Sequence, residues 1–518
     1  MILTHSAPRR IEKVLLIYPP SRIAREGLKF CFMPLGISYL AASIRREFDV
    51  AVLDATAEGY DHHEDDTHGF FRFGLPMAEI KRRIEQEKPD VVGISCIFSP
   101  MWPLVLEIAQ AAKEVDPGIV TVTGGNHPTW LPERCLEEDA DRNLDYIILG
   151  EGEESSVRLF KTLNEGGDLG AIDGLAHRRS GEAVVQPKTS QVEDVDSLPF
   201  PARDLMPLDI YARVNITHMV MSRVKRNTSM FTSRGCPARC TFCSSTEFWA
   251  KGTKRFRVRT VDNVIEELRD AKERFGITEF NFEDDNFTAD VPRAKELLRR
   301  IIDEELDITW NAPNGIALWT LDDELIDLMA ESGLQEIALP FESGDQETLR
   351  ELVNKPLRLK KAEHVVERIK GLGIRHNSLW IVGFPGQTLE QIHQTIEYIG
   401  TLGLEAAHLF AYMPLPGTVL ADVCFEKGYI DPDFDFAQNA ATHGVVTTEE
   451  FTAEEITSIV RNFGARNNWR LMVTSPRIFI SRHIHLLWNP TAFKQFALSN
   501  LRRWRGGLSA ARRLREAT

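Results

Sequence analysis

Residues Val14 to Tyr18 read VLLIY, a short run without a charged side chain. Four similar β-rich runs follow at helix-length intervals: VAVLD at Val50 to Asp54, DVVGIS at Asp90 to Ser95, VTVTGG at Val120 to Gly125 and DYIILG at Asp145 to Gly150. Strands that are apolar on both faces and alternate with helices indicate a parallel, doubly wound sheet. Ligands of such sheets bind at the carboxyl ends of the strands, so this part of the chain predicts a Rossmann-like domain with a site at that edge.

A second set of strands predicts a partial barrel. The six strands are Met230 to Thr232, Glu279 to Glu283, Thr309 to Asn311, Glu336 to Glu342, Arg375 to Gly383 and Ala406 to Tyr412. Between the first two, apolar residues from Val261 to Phe275 recur at helical spacing, and Gly276 follows as a stop signal. A full eight-unit barrel needs about 250 residues, so these six β/α units predict a partial, (β/α)6 parallel barrel in an α/β protein.

The chain therefore divides into four segments. We expect the Rossmann-like domain over 10–165, a linker over 166–227, the barrel over 228–440 and a helical carboxy-terminal region with a basic tail over 441–518. The linker is placed by SLPFPARDLMP at Ser197 to Pro207, whose prolines favour extended and turn conformations.

Charge is spread unevenly along the 518 residues. The formal net charge is −15, yet from Asn468 to Thr518 ten Lys and Arg residues accompany a single acidic residue, Glu516. The acidic balance argues against nucleic acid as a partner. No apolar run approaches the ~18–20 residues of a membrane span, and Met1 to Pro20 lacks the apolar core of a signal peptide. We expect a cytoplasmic protein, with the tail as the one segment that suggests contact with a membrane surface.

The strongest chemical signal is the run TSRGCPARCTFC at Thr232 to Cys243, directly after the first barrel strand. Its cysteines, Cys236, Cys240 and Cys243, can converge on a soft metal centre. Iron–sulfur cubes are usually held by four cysteines, so three would leave one iron open for chemistry. The alternatives are a structural zinc site, which normally needs a fourth Cys or His, and unrelated cysteines.

This run, with Phe242 before the third cysteine, resembles the CxxxCxΦC signature of the radical S-adenosylmethionine (radical SAM) enzymes. The resemblance implies a [4Fe–4S] cluster on Cys236, Cys240 and Cys243, with SAM on the open iron. It also implies that reduction cleaves SAM to a 5′-deoxyadenosyl radical that abstracts hydrogen from the substrate. The partial barrel is the fold that this family uses.

Three later strand ends match the SAM-binding segments of the family. Glu283, Asp284 and Asp285 stand where the family binds the amino group of SAM, with EDD in place of the more usual GGE, as in the cobalamin-dependent branch. Glu342 and Ser343 are implied to contact the ribose or carboxylate. Val382 and Gly383 lie in a segment similar to the one that contacts adenine. Phe242 is implied to belong to the same SAM site.

The amino-terminal domain resembles the cobalamin-binding domain of that branch. The residues implied to contact cobalamin are Pro34, Leu35, Gly36, Asp54, Thr56, Ser95, Cys96, Gly124, Gly125, His127, Gly150, Glu151 and Gly152. One departure is informative: Thr56 occupies the histidine position of the DxHxxG motif found in many cobalamin proteins. We therefore predict a cobalamin bound base-off and without a lower histidine ligand from this motif.

Other histidines and cysteines carry weaker signals. His127 either contacts the corrin or caps its loop through backbone hydrogen bonds. His62, His63 and His68 lie in an acidic stretch that we interpret as a solvated or substrate-covering loop rather than a metal site. Cys31, Cys96, Cys135 and Cys424 are predicted to be small buried residues, and of these only Cys96, at a strand end, is placed near the cofactor.

The resemblance covers about Ile11 to Pro416 and implies a radical SAM methyltransferase that uses a [4Fe–4S] cluster, SAM and cobalamin. Its implied partners are a small-molecule substrate and a low-potential electron donor such as flavodoxin or ferredoxin. The segments AEGY, FFRFGL, TSRGC and GIALWTLDDELIDLMAESG look most like C-methyltransferases of phosphonate and other natural-product pathways. The implied reaction moves methyl from SAM through cobalamin to an unactivated carbon.

Three alternatives stay open. The family also contains enzymes that cyclise, rearrange rings or oxidise without moving a methyl group. The basic tail, rich in aromatic residues, would suit a lipid-modifying enzyme at an anionic membrane surface, although it would equally suit a helical cap on the barrel. A cobalamin carrier without enzymatic activity would not need the cysteine motif.

Overall fold

The structure is a computed structural model that describes residues 10–24, 29–66, 70–217, 220–221, 226–249 and 254–474. Its amino-terminal strands are β1 (Lys13–Tyr18), β2 (Ser21–Ala24), β3 (Asp49–Asp54), β4 (His63–Asp65), β5 (Phe70–Phe73), β6 (Val91–Ser95), β7 (Val120–Gly124), β8 (Tyr146–Ile148), β9 (Leu175–Arg179) and β10 (Glu182–Val185). Its helices there are α1 (Leu35–Ile44), α2 (Ala55–Glu58), α3 (Met77–Glu87), α4 (Trp102–Val115), α5 (Asn126–Trp130), α6 (Pro132–Glu138) and α7 (Glu153–Glu165).

The first sheet has the order β10-β9-β8-β7-β6-β1-β3. Strands β3, β1, β6, β7 and β8 run parallel, which confirms the doubly wound sheet. Apolar residues of these strands and of α1, α3, α4 and α7 form one buried core. The carboxyl ends of the five parallel strands consequently share one edge, as the sequence predicts.

Two features of this region are absent from the sequence prediction. The hairpin β9–β10 lies in the stretch expected to be a linker, and it extends the first sheet by antiparallel pairing of β9 with β8. Strands β2, β5 and β4 form a small antiparallel sheet. Their strands are three to five residues long and contain polar or charged residues, so their sequences lack the continuous apolar run that identifies a buried strand.

The second half begins with α8 (Leu208–Val214) and a small hairpin of β11 (Ile216–Thr217) and β12 (Val220–Met221). The later strands are β13 (Asn227–Met230), β14 (Ser233–Gly235), β15 (Phe256–Val258), β16 (Glu279–Phe282), β17 (Thr309–Ala312), β18 (Leu334–Glu342), β19 (Arg375–Val382) and β20 (Ala407–Ala411). The helices are α9 (Ser244–Phe248), α10 (Val261–Phe275), α11 (Val291–Asp303), α12 (Asp323–Glu331), α13 (Leu359–Gly371), α14 (Leu389–Thr401), α15 (Val419–Glu426) and α16 (Ala453–Thr474).

The second sheet, in the order β13-β16-β17-β18-β19-β20, is parallel throughout, which confirms the six-unit partial barrel. Helix α10 has the predicted bounds because Thr260 caps its first turn and Gly276 ends it with a φ of +65°. The first strand ends at Met230 rather than Thr232. The backbone N–H of Thr232 instead donates to the Asp284 carboxylate at 3.1–3.2 Å.

The two faces of the barrel strands differ in polarity. On one face Phe280, Trp310, Ile337 and Trp380 pack in the apolar core with the surrounding helices. On the other face polar side chains meet across the strands: the Asn311 amide donates to Asn281 Oδ1 at 3.3 Å, and the Asn377 amide donates to Glu336 Oε1 at 3.1 Å. This alternation gives the barrel a buried polar interior.

Helix α16 is the element expected from FTAEEITSIVRNF, and its first part packs on the barrel through Ile456 and Val460. The segment from 475 to 518, with most of the basic tail, lies outside the described residues. Within the described part of the chain, every helix is too short or too polar to cross a bilayer.

Candidate active site

The cysteine loop leaves β14 at a position that only glycine can occupy. Gly235 has a φ of +89°, and a Cβ atom there would lie 1.9 Å from the carbonyl oxygen of Arg255. The loop then folds back so that Cys243 N donates to Cys240 O at 3.2 Å, and α9 begins directly after Cys243. The three cysteines of the motif are thus carried on one compact loop at the mouth of the barrel.

Neighbouring segments fix the loop from both sides. Thr241 donates through its side chain to Leu352 O at 2.6 Å and through its backbone to Val353 O at 3.0 Å. Those acceptors lie at the end of a short π-helix, Thr348–Leu352, an element often found at functional sites. On the other side, Asn286 Nδ2 donates to Cys236 Sγ at 3.5 Å.

The donor set fits an iron–sulfur cube. Burial raises the pKa of all three thiols, that of Cys240 to about 12, while the nearby Lys355 ammonium opposes this for Cys236 and Cys240. Among the described residues, no three His, Cys, Asp or Glu side chains converge as a single metal ion requires. A cube places a different iron at each cysteine, so its three ligands need not meet at one point.

Three carboxylates follow β16, and they face different partners. Glu283 accepts from Ser229 Oγ at 2.9 Å. Asp284 is fully buried and accepts from Thr232 and from the hydroxyl of Ser233; burial raises its pKa although these bonds oppose the shift. Asp284 therefore fixes the strand before the cysteines.

Asp285 is exposed at the mouth of the barrel and contacts the cysteine loop directly. Its carboxylate accepts from Ser245 Oγ at 2.6 Å, from Trp249 Nε1 at 2.7 Å and from Gly235 N at 3.2 Å. An exposed carboxylate next to the cysteines is well placed for an ammonium group of a ligand.

Glu342 ends β18 with a φ of +65°, a conformation that is uncommon for residues other than glycine. Its carboxylate accepts from Lys355 Nζ at 2.8 Å, and both side chains are buried. Ser343 is also fully buried, and its hydroxyl lies 3.1 Å from Thr395 Oγ1. The structure thus turns Ser343 towards α14 rather than leaving its side chain open to a ligand.

The end of β19 forms an apolar wall beside the cysteine loop. The rings of Phe242 and Phe384 lie 5.8 Å apart between centroids. Gly383 has a φ of +84°, and its N–H donates to Gln387 Oε1 at 2.9 Å. The backbone carbonyl of Val382 accepts from Tyr412 N at 2.9 Å. These hydrogen bonds hold the backbone at Val382 and Gly383 in a fixed conformation that a ligand could approach closely.

At the edge of the first sheet, Gly36 offers the clearest space for a ligand. Pro34 precedes α1 and Leu35 is buried, but Gly36 is exposed, and a Cβ atom there would meet nothing within 4 Å. Gly125 is the opposite case. It has a φ of +121°, and a Cβ atom would lie 2.4 Å from Cys96 O. Backbone packing thus leaves no room for a side chain at Gly125, whereas the surface at Gly36 on α1 is open.

Asp54 and Thr56 both use their side chains within the protein. Asp54 Oδ2 accepts from the Tyr211 hydroxyl at 2.6 Å and Oδ1 accepts from Ala57 N at 2.9 Å. Burial raises the pKa of Asp54 to about 7. The Thr56 hydroxyl donates to Pro19 O at 2.7 Å. Thr56 has no nitrogen donor, and its hydroxyl is engaged within the protein.

The ends of β6 and β7 complete the edge. Ser95 ends β6 and Cys96 is fully buried. Gly124 ends β7, and a Cβ atom there would lie 3.0 Å from Ile148 O. His127 is buried in α5, and its Nδ1 lies 2.9 Å from Ser99 Oγ. Burial lowers the pKa of His127 to about 4, so its ring is neutral at physiological pH.

The loop at Gly150, Glu151 and Gly152 is occupied by contacts to the barrel half. Glu151 is buried and accepts from Arg234 Nη1 at 2.5 Å and from Arg257 Nη1 at 3.0 Å. Gly150 has a φ of +66°, and its N–H donates to Thr129 Oγ1 at 3.0 Å. Opposing arginines lower the pKa of Glu151 despite its burial.

The other cysteines and histidines singled out in the sequence differ in burial. Cys31, Cys135 and Cys424 are buried. His62 is exposed and pairs with Glu64 at 3.0 Å, while His68 lies outside the described residues. Sequence reasoning missed Arg234, Arg257, Lys355, Asn286 and Tyr211. Of these, only Arg234 lies inside a quoted motif, and nothing in a single sequence reveals its distant partners.

Two family profiles match the chain. The profile of the B12 binding domain matches residues 22–160, and that of the Radical SAM superfamily matches residues 230–399. The cytidylyl-2-hydroxyethylphosphonate methyltransferase of Streptomyces wedmorensis is 33% identical, covering 89% of this chain and 91% of its own length. An uncharacterized methyltransferase of Pyrococcus horikoshii is 30% identical over 87% of this chain and 91% of its own length.

A solved structure shares the fold. The radical S-adenosylmethionine methyltransferase TsrM from Kitasatospora setae, solved with tryptophan substrate and a SAM analog, superposes with a TM-score of 0.62. The match covers 81% of this chain and 77% of that one, at 19% sequence identity. The two-domain arrangement of sheet and partial barrel is therefore a known one.

Proposed function

The chain belongs to the cobalamin-dependent radical SAM methyltransferases, and from that membership we propose that it methylates an unactivated carbon of a small-molecule natural-product substrate. The carrying observation is that similarity to the phosphonate methyltransferase extends over nearly the whole length of both chains. When bound, the cluster supplies the electron that cleaves SAM to a radical, and cobalamin supplies the methyl carrier.

The roles of the site residues follow from their positions. Cys236, Cys240 and Cys243 would hold the cluster at the mouth of the barrel. Asp285 is the exposed carboxylate beside that loop and would bind the amino group of SAM, with Glu283 behind it. Asp284 acts indirectly, by fixing Thr232 and Ser233.

The far side of the SAM site is apolar and rigid. Phe242 and the backbone at Val382 and Gly383 would exclude water from a planar base and hold it in place. Glu342, paired with Lys355, would accept hydrogen bonds from the ribose hydroxyls. Ser343 would act only through the segment that it orders.

For cobalamin, we propose contact with backbone and small side chains rather than with a protein ligand to cobalt. Pro34, Leu35 and Gly36 at α1 would border the corrin, together with Ser95, Cys96, Gly124 and Gly125 at the strand ends. His127, Asp54 and Thr56 are engaged within the protein and would shape the edge. The electron paramagnetic resonance spectrum of bound cob(II)alamin should show no nitrogen hyperfine splitting from an axial ligand.

The substrate can be tested directly. Anaerobically reconstituted protein, with cobalamin, a reductant and methyl-deuterated SAM, is incubated with a panel of cytidylylated hydroxyalkylphosphonates and with small-molecule extracts. We expect mass spectrometry to show one substrate that gains an intact labelled methyl group. An altered but unlabelled product would contradict the proposal and indicate a cyclase, ring-rearranging or oxidative enzyme.

Two partners complete the proposal. A low-potential donor such as flavodoxin or ferredoxin would supply electrons to the cluster. The basic tail would contact anionic lipid peripherally, since it carries ten basic residues and one acidic residue from Asn468 to Thr518. Removal of Arg477 to Thr518 should abolish sedimentation with anionic vesicles and leave SAM cleavage intact. Unchanged sedimentation would contradict membrane contact by the tail.

A further inference from the structure

Four buried charged side chains join the two halves of the molecule. Arg234 Nη1 donates to Glu151 Oε1 and Arg234 Nη2 donates to Glu153 Oε1, both at 2.5 Å. Arg257 donates with two nitrogens to the two oxygens of Glu151, each at 3.0 Å. All four side chains are at most 7% exposed. We call this group the interdomain quartet.

The quartet differs from an ordinary internal salt bridge, because its positively charged and negatively charged side chains come from different domains. Arg234 and Arg257 lie directly opposite each other on β14 and β15, where like charges repel. Their carboxylate partners both come from the first domain: Glu151 lies in the loop after β8, and Glu153 is the first residue of α7. A buried arginine pair is strongly unfavourable without such partners, so the strand pair β14–β15, which flanks the cysteine loop in sequence, is complete only when Glu151 and Glu153 are in place.

The quartet is continuous with the cysteine loop. Arg234 is followed by Gly235 and Cys236, so its buried, paired side chain anchors the chain two positions before the first cysteine. The Arg257 guanidinium lies 5.3 Å from the ring centroid of Trp249, and Trp249 Nε1 donates to Asp285 Oδ2 at 2.7 Å. Asp285 in turn accepts from Gly235 N. Both arginines are therefore connected to the cysteine loop, Arg234 through the chain itself and Arg257 through Trp249 and Asp285.

We propose that the interdomain quartet is a positioning device that sets the distance and orientation between the cluster site and the cobalamin edge. Arg234 and Glu153 are then positioning residues for a reaction that needs both cofactors in one geometry. This inference rests on the proposed function, since it assumes that both cofactors bind.

The test measures geometry rather than turnover. In the anaerobic holoenzyme, the reduced cluster enhances the spin relaxation of bound cob(II)alamin, and that enhancement falls steeply with distance. Two variants are compared with the unmodified protein: Glu153→Gln, which weakens one arm of Arg234, and Arg234→Lys, whose single ammonium cannot bridge two carboxylates as a guanidinium does. We expect the variants to retain their iron and cobalt contents. Their relaxation enhancement should be weaker, and the distribution of cluster-to-cobalt distances derived from it should be broader.

A second readout links geometry to chemistry. Misplacement of reacting groups by an ångström can cost about 100-fold in rate, so labelled methyl transfer per 5′-deoxyadenosine should fall about tenfold or more in the variants. If no substrate is ever methylated, the proposed function fails, yet the spin measurement still reports on the quartet. The two failures are therefore distinguishable.

The matched control is Asp139→Asn, which alters a buried carboxylate paired with Arg178 at 3.1 Å wholly within the first domain. This variant should lose stability without a change in the cobalt-to-cluster interaction. If Arg234→Lys fails to fold, Glu153→Gln decides, because Glu151 still pairs with both arginines there. An unchanged spin interaction in the quartet variants, or an equal change in Asp139→Asn, overturns the inference.

Discussion

The two parallel sheets of this molecule differ in what their faces carry. The strands of the first sheet pack apolar side chains in a common core with helices, as Leu15, Leu16, Val91 and Val92 do. The barrel strands keep that character only on the face that meets the helices. Their other face presents Asn281, Asn311, Glu336 and Asn377, all buried.

This difference determines where each sheet can bind a ligand. A sheet that is apolar on both faces has free polar groups only at its strand ends, so we expect its site at an edge with small residues such as Gly36 and Gly125. A barrel with a polar interior can bind polar ligands from its mouth inward. The first domain accordingly suits a large flat cofactor, and the barrel suits the reacting molecules.

The largest expected effect separates the two sites completely. Cys240→Ala should abolish cluster binding and all SAM cleavage, because a cube with two protein ligands is not retained. Cobalamin binding should persist, since its edge lies in the other domain. Iron content, cobalt content and 5′-deoxyadenosine report the outcome. Cys424→Ala, which alters a buried cysteine outside the motif, should keep the cluster; retained cleavage in Cys240→Ala would refute the assignment.

The next largest effect is on stability and distinguishes the two faces of barrel strand β17. Trp310 stacks on Phe282 at 5.0 Å and is fully buried, so Trp310→Ala should lower the free energy of unfolding by about 3–5 kcal/mol. Its neighbour Asn311 faces the interior, and Asn311→Ala should cost about 1–3 kcal/mol through the lost amide hydrogen bond. Chemical denaturation measures both. Equal losses would contradict the division of the strand into a packing face and a polar interior face.

A smaller effect tests the edge of the first sheet. Gly36→Leu meets no protein atom at its Cβ position, so the fold should be unaffected. If the corrin borders α1, the added side chain should weaken cobalamin affinity about 10- to 100-fold, as overpacking costs about 1–3 kcal/mol. Gly371→Leu is the matched control, because Gly371 is an exposed helical glycine with the same empty surroundings in the barrel half. Equal affinity in both variants would place cobalamin elsewhere.

The smallest expected effect is on the pH dependence of stability in the unmodified protein, because two edge residues oppose each other. The raised pKa of Asp54, about 7, gives stability that is lost as pH rises from about 4 towards 7. The lowered pKa of His127, about 4, gives stability that is lost as pH falls from about 6.5 towards 4. Each slope is at most about 1.4 kcal/mol per pH unit.

Removing one of the two should expose the other. Asp54→Asn should make the free energy of unfolding rise with pH between about 4 and 6.5, and His127→Asn should make it fall over the same range. Urea denaturation at a series of pH values gives the slopes. If neither variant changes its slope, the two groups do not titrate as their burial implies.

The two regions also differed in how far the sequence could predict them. The cysteines were predictable because the motif is local, and the parallel strands because their apolar runs are continuous. The strand ends followed from the topology, which gathers them at one edge. The need for glycine at position 125 was not predictable in this way, because it arises from packing against the carbonyl of Cys96, nearly thirty positions away.

Partner identity was the part that sequence could not supply. Glu151 was expected to contact cobalamin, yet its carboxylate pairs with Arg234 and Arg257 of the other domain. Asp284 and Ser343 were expected at SAM, and the structure engages their side chains with Thr232 and Thr395. In each case the competing partner is distant in sequence, so no local pattern could have indicated it.

We propose that each domain holds one cofactor and that methyl transfer needs both. The most direct measurement follows 5′-deoxyadenosine and labelled methyl product from methyl-deuterated SAM, using protein reconstituted with the cluster and assayed with and without cobalamin. We expect omission of cobalamin to abolish the labelled product while SAM cleavage continues. Labelled product that persists without cobalamin, or substrate turnover without label in its presence, would contradict it.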